Sequence, residues 1–192
     1  MMLSGWWHNT SAQSKAGLEQ YYYMDNKTVT INPKGWYQSK KGWYVEGRYN
    51  YEAAKTMSVM AGKTFDYTSA VSLSFTPMAG LAKGQLNGAA IAANTSIDYK
   101  KFLFSLQSQY TFSIQDKADN FMYNWADISY ELLHNLSAGI SLQQTNIYRC
   151  KGQSEIGFFL KEVFGKWELP VYIFNATGNE RYMVVGLTVD LK

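Results

Sequence analysis

The stretch Phe102-Leu103-Phe104-Ser105-Leu106-Gln107-Ser108-Gln109-Tyr110-Thr111-Phe112-Ser113-Ile114-Gln115 decides the fold. Its even positions read Phe, Phe, Leu, Ser, Tyr, Phe, Ile; its odd positions read Leu, Ser, Gln, Gln, Thr, Ser, Gln. Alternation with period two marks a strand with one apolar and one polar face. The run outlasts the ~5–6 residues usual in a soluble sheet. It meets the ~9–11 residues that a strand needs to cross a bilayer.

The same pattern recurs outward from this stretch. Trp43, Val45, Gly47, Tyr49 and Tyr51 oppose Tyr44, Glu46, Arg48, Asn50 and Glu52. Leu136, Ala138, Ile140 and Leu142 oppose Ser137, Gly139, Ser141 and Gln143. Met183, Val185, Leu187, Val189 and Leu191 alternate near the C-terminus. Breakers between such runs predict about twelve strands, at 28–37, 42–52, 55–65, 69–76, 79–87, 89–99, 102–115, 120–132, 136–147, 155–163, 166–175 and 181–191. The apolar phase slips between Trp125 and Ile128, which predicts a β-bulge near Ala126-Asp127. Residues 1–27 read as an irregular arm with one short extended piece at 20–24, and 28–192 as a single barrel domain.

Composition narrows the class. The 192 residues are 46% apolar but only 17% charged, well below the roughly 25% of an average soluble domain. No apolar run approaches the ~18 residues of a membrane-spanning helix. The single cysteine, Cys150, excludes an internal disulfide framework and a Cys-based zinc site, and it is expected as an exposed thiol. A net charge of +3, with Lys40-Lys41 and Lys100-Lys101 as the basic pairs, gives no nucleic-acid footprint. Residues 1–7 lack the basic and apolar regions of a signal peptide. For a secreted protein this implies a leader already removed.

The polar face separates two barrel types. A surface washed by water carries many Lys and Glu. Here it carries Ser72, Ser74, Thr76, Asn94, Ser96, Ser105, Gln107, Gln109, Thr111, Ser141, Gln143 and Thr145. That chemistry suits an enclosed, hydrated lumen. The apolar face places Trp43, Tyr51, Phe102, Phe112, Tyr123, Trp125 and Trp167 near strand ends, as candidates for the interfacial girdles of a membrane barrel. The connections are expected to sort by length. Tight turns at 52–55, 76–79, 99–102, 133–135 and 164–165 would share one side with both termini. More polar loops at 38–41, 66–68, 87–88, 116–119, 148–154 and 176–180 would share the other. The sequence therefore predicts an all-β, antiparallel, up-and-down transmembrane barrel, closed so that no strand edge meets lipid.

The run Trp43-Tyr44-Val45-Glu46-Gly47-Arg48-Tyr49-Asn50-Tyr51-Glu52 resembles a motif in a family of uncharacterised outer-membrane β-barrel proteins of Gram-negative bacteria. Thr76-Pro77-Met78, Gln107-Ser108-Gln109-Tyr110, Phe121-Met122-Tyr123-Asn124-Trp125, Ser141-Leu142-Gln143-Gln144-Thr145 and Val171-Tyr172-Ile173-Phe174-Asn175 resemble it too. The resemblance runs from about Gln20 to the C-terminus and implies a secreted barrel inserted in the outer membrane. It implies no activity. The chain departs from the aromatic C-terminal residue common in such barrels, ending Leu191-Lys192.

Few residues carry reactive chemistry. His134, Asn135 and Ser137 form a candidate hydrolase set, but a polar turn reads the same residues more simply. His8 falls in the arm. Asp116, Asp119 and Asn120 lack the spacing of a calcium loop, and Gly84 and Gly88 lack the Lys-Ser/Thr of a phosphate loop. The expectation is no enzyme, no metal and no cofactor. Candidate lumen-lining residues are Glu46, Arg48, Asn50, Glu52, Lys83, Asp98, Gln107, Gln109, Gln143 and Thr145, with the first charges forming a constriction or simply pairing. The expected function is a small passive pore or solute-binding barrel of the outer membrane. The alternative is a non-conducting barrel that anchors a periplasmic or surface protein. Expected partners are outer-membrane lipid and a small polar solute, without nucleic acid.

Overall fold

In this computed structural model the described residues are 13–25, 27–178 and 180–191. They form one antiparallel sheet. Its strands are β1 (Lys15–Met24), β2 (Val29–Gln38), β3 (Trp43–Tyr49), β4 (Met57–Lys63), β5 (Phe65–Thr68), β6 (Ser72–Lys83) and β7 (Gly88–Tyr99). They continue as β8 (Phe102–Ser113), β9 (Phe121–Leu133), β10 (Leu136–Ile147), β11 (Gln153–Phe164), β12 (Trp167–Phe174) and β13 (Tyr182–Leu191). Apart from β4 and β5, which do not pair with each other, each strand pairs with its neighbours in sequence; β1 pairs with β13, and β4 pairs with β6. The sheet thus closes into a barrel.

β4 and β5 occupy one position in that barrel, since both pair with β6 in a single register. The ladder lapses between Gly62–Met78 and Phe65–Phe75, at the step where Pro77 offers no N–H. Thr64 and Thr76 bridge the gap through their hydroxyls at 2.9 Å. The barrel therefore has twelve strands, as the alternation implies.

The route to twelve differs from the sequence reading at two places. β1 lies inside the expected N-terminal arm, and residues 1–12, with His8, fall outside the described residues. Tyr21-Tyr22-Tyr23 is aromatic on both faces, so β1 shows no alternation to read. The expected turn at 76–79 is instead the middle of β6, where Pro77 takes an outward position in an unbroken strand. The two differences cancel in the count. They also invert the loop sides between them. The 39–42 and 69–71 connections join the short-turn end with 100–101, 134–135, 165–166 and both strand termini. The 50–56 connection joins the other end with 25–28, 84–87, 114–120, 148–152 and 175–181. The true sorting by length is cleaner than the expected one. Asp25 shapes the first of these longer links. Its carboxylate accepts from the N–H groups of Lys27 (2.6 Å) and Thr28 (2.7 Å), which holds its pKa below the usual carboxylate range.

The expected bulge at Ala126-Asp127 is absent from β9, and the register shift lies opposite Leu136/Ser137 at the short-turn end. The phase slip has another cause: Phe121, Tyr123 and Trp125 belong to the same inner face as Asp127 and Ser129.

Outside, the wall is apolar. Leu18, Ile31, Val59, Leu81, Ile91, Phe158, Leu160 and Ile173 point away from the lumen. At the short-turn rim they give way to Tyr37, Trp43, Phe65, Tyr67, Tyr99, Phe102, Tyr130, Phe164 and Trp167. Four lysines lean over these rings: Lys63 on Trp43 and Phe65, Lys100 on Tyr99, Lys101 on Tyr130 and Lys166 on Trp167. Rings with ammonium groups reaching outward fit the boundary between acyl chains and headgroups.

Two measurements check this arrangement. The folded protein should need detergent and migrate differently on gels before and after boiling. Cys150 is exposed in the 148–152 loop at the long-loop end, the end that faces outward in such barrels. A membrane-impermeant maleimide should label it in intact cells. A cysteine replacing His134, in a Cys150→Ser background, should react only after the outer membrane is opened.

Candidate functional site

The inner wall divides into a charged sector and an aromatic sector. Alternation carries Glu19 of β1, Lys34 of β2 and Tyr44, Glu46 and Arg48 of β3 to the inside. Lys34 Nζ lies 2.7 Å from Glu19 and 3.9 Å from Glu46. Arg48 donates to Glu46 Oε1 through Nε at 2.6 Å and pairs with the same oxygen through its Nη2 group. Tyr44 donates to the other oxygen at 2.9 Å. Glu46 is 1% exposed, so these partners stand in for the water it has lost.

Arg48 also crosses the lumen. Its Nη1 donates to Gln109 Oε1 on β8 at 2.6 Å. Gln109 Nε2 donates to Glu52 (3.2 Å) and Thr111 (2.9 Å). Glu52 is not on a strand; the 50–56 connection folds inward and brings it within 3.7 Å of Arg48. Met60, Met78 and Ala90 form a buried apolar cluster on β4, β6 and β7, within the arc that this strut spans.

The opposite sector is aromatic. Trp125, Phe159, Tyr172, Phe174 and Val184 form a buried cluster, with Tyr21, Tyr23, Tyr123 and Tyr182 packed against it. Its polar anchor is Asp127. That carboxylate accepts from Ser141 (2.5 Å), Trp125 Nε1 (2.9 Å) and Tyr172 (3.1 Å). Tyr182 donates to Glu155 at 2.5 Å and lies 3.3 Å from Gln143 Oε1.

Glycines make room for the rings. Gly17 faces Trp36, Gly139 faces Phe159, Gly157 faces Phe174 and Gly186 faces Tyr21, each as a direct cross-strand pair. A Cβ on any of these glycines would stand 2.6–2.7 Å from its partner's ring. Each ring therefore lies against the wall over its glycine rather than projecting into the lumen.

Between the sectors, at the long-loop end, lies a cavity of about 500 Å³. Asn32, Arg48, Glu52, Asn94, Gln107, Gln109, Gln143 and Thr145 contribute its polar lining, and Tyr23, Tyr51, Tyr123 and Trp125 contribute rings. Seven of the expected lumen residues thus meet in one place: Glu46 and Arg48 at the strut, and Glu52, Gln107, Gln109, Gln143 and Thr145 around the cavity. Asp98 has the inward phase of β7 but sits near the short-turn end. Two expectations fail. Asn50 is a turn residue with φ 65°, bonded to the Ile31 carbonyl at 2.8 Å. Lys83 alternates with buried Ala82 and so points outward at the end of β6.

Of the expected girdle residues, Trp43, Phe102, Phe112 and Trp167 point outward at strand ends. Tyr51, Tyr123 and Trp125 do not. Tyr51 lies in the 50–56 connection, and all three line the cavity. An aromatic residue suits either a lipid boundary or a buried wall. The hydrogen-bonding neighbours in space decide, and sequence spacing alone does not show them. Tyr21, Tyr172 and Tyr182 were missed for the same reason. His134 lies exposed in the 134–135 turn, and among the described residues no hydrogen bond joins it to Ser137.

Solved structures share this architecture. A KdgM porin aligns with TM-score 0.65 at 14% identity, covering 92% of this chain and 99% of its own. The fold is a closed twelve-stranded antiparallel barrel of the outer-membrane type. A KdgM porin in complex with disordered oligogalacturonate gives TM-score 0.66 at 14% identity over the same shares. The NanC porin gives 0.63 at 13%, again covering 92% of this chain and 99% of that one. No family model matches the sequence, and no curated protein matches it. No family-level match accompanies the resemblance read from the motifs, and the likeness to outer-membrane barrels is one of fold.

Removing one partner of the buried ion pairs tests the strut. Arg48→Ala leaves Glu46 without its main cation and should lower unfolding stability by roughly 3 kcal/mol. Chemical denaturation in lipid vesicles, followed by tryptophan fluorescence, measures this. Trp125→Phe keeps a ring but loses the one indole N–H, shared between Asp127 and Ser141, and should cost about 1–2 kcal/mol.

Proposed function

We propose that the protein is a passive outer-membrane pore for small polar solutes, entered from the cavity at the long-loop end. The observation that carries this reading is the inner wall. It carries polar and charged side chains along its whole length, and four of its large rings lie over glycines. A barrel serving only as an anchor gains nothing from keeping its bore clear. The likeness to KdgM and NanC porins supports the reading at the level of fold.

The same wall predicts a charge preference. Glu19, Glu46, Glu52, Asp98, Asp127, Glu131, Glu155, Glu168 and Asp190 face inward, against Lys15, Lys34, Arg48 and Lys161. The chain as a whole carries +3, so its basic excess lies on the rims and the lumen is acidic. Fixed charge lining a narrow path selects the opposite sign of ion.

Purified protein in a planar bilayer should give discrete conductance steps. Under a potassium chloride gradient, the reversal potential should have the sign set by potassium. Arg48→Ala, which removes the strut across the lumen and one cation, should raise the conductance and the cation preference together. Silence at all voltages would favour the anchoring barrel instead.

A further inference from the structure

Three buried polar atoms around the cavity have hydrogen-bonding capacity to spare: Asn32 Oδ1 and Glu52 Oε2, which have no partner, and Gln143 Nε2, whose two N–H groups have only the Tyr23 hydroxyl beside them. Each residue is more than nine-tenths buried. Burying such atoms without full pairing costs free energy, so three of them together mark where an entering polar group gains most. Their neighbours fix which atom of each side chain is left over. Asn32 Nδ2 donates to the Asn50 carbonyl at 3.2 Å, which leaves Oδ1 free. Glu52 Oε1 takes Gln109, which leaves Oε2. Gln143 Oε1 faces the Tyr182 hydroxyl, which leaves the amide nitrogen.

The site therefore presents two acceptors and one donor. A carboxylate or phosphate brings only acceptors, and would place them against Asn32 Oδ1 and the Glu52 carboxylate. An ammonium brings only donors, and offers Gln143 Nε2 no acceptor. A hydroxyl both donates and accepts, so a group of hydroxyls satisfies all three. Arg48, the cation on this lining, already takes Glu46, Glu52 and Gln109 and has little charge left for an anion. Tyr51, Tyr123 and Trp125 add ring surface for the apolar faces of a hydroxyl-rich ring. A volume of about 500 Å³ lies within the range of small-molecule sites.

We propose that this cavity is a subsite for an uncharged, hydroxyl-rich solute, a neutral saccharide, and that it discriminates against acidic sugars of the same size. The inference deepens the pore reading by naming its solute class, and it rests on the cavity being open to solutes. It also sets this chain apart from the KdgM porin in complex with oligogalacturonate, whose ligand is acidic.

Two measurements separate this inference from the pore itself. In proteoliposome swelling, a neutral glucose disaccharide should permeate at least several-fold faster than a galacturonate disaccharide. In detergent micelles, calorimetric titration should show binding of a glucose tetrasaccharide and at least tenfold weaker binding of a galacturonate tetrasaccharide. Gln143→Leu and Tyr51→Leu should each weaken the neutral sugar about tenfold. Gel mobility before and after boiling verifies that each variant is folded, and if one fails to fold the other carries the test. Equal or better handling of the galacturonates overturns the inference and leaves the pore standing. Neutral-sugar binding without any conductance or swelling overturns the pore and keeps the subsite. Absence of neutral-sugar binding together with equal swelling rates overturns the subsite.

Discussion

A strand in lipid has no water to bond, so every backbone N–H and C=O must find its partner on another strand. The rest of the molecule follows from that constraint. It forces closure, and closure makes β1 the neighbour of β13. It forces alternation, since each strand then separates lipid from lumen residue by residue. The same rule explains the one lapse in the wall. Pro77 has no N–H to give, the ladder that β4 and β5 make with β6 breaks there, and two threonine hydroxyls close the gap from inside.

Within the closed wall the interior must satisfy its own polar groups. The two sectors do so differently. In the charged sector, acids and bases from β1, β2 and β3 neutralise one another and reach across to β8. In the aromatic sector, one carboxylate gathers three donors from β9, β10 and β12. Both arrangements tie strands that are not all neighbours in the sheet, so they brace the barrel across its bore as well as along its wall. The cavity lies where the two sectors meet, and it collects the polar atoms that neither sector uses.

Most of this fold was legible because a period of two is the direct imprint of a two-sided wall. β8, with its unbroken run from Phe102 to Ser113, shows it plainly. Where both faces carry similar residues the imprint fades. β1 hid behind three consecutive tyrosines, and β6 behind a proline that usually ends strands. The site was only half legible for a related reason. Gln107, Gln109 and Gln143 declare a polar face wherever they stand. Tyr123 and Trp125 do not, because a ring with one polar atom suits a headgroup boundary as well as a hydrogen-bonded interior. Only the positions of Asp127 and Ser141 decide between them, and those depend on register. The folding back of Glu52 is a loop property with no periodicity to betray it.

The glycines opposite Trp36, Phe159, Phe174 and Tyr21 have a consequence for how the bore is set. In a barrel of fixed strand number and stagger the backbone radius is fixed, and free width depends on what the side chains do. Here four large rings are accommodated by omitting four small carbons. The aperture is thus written in atoms that are missing from the wall. Evolution can adjust it finely, since one methyl at Gly157 or Gly186 would press on a whole ring and turn it inward.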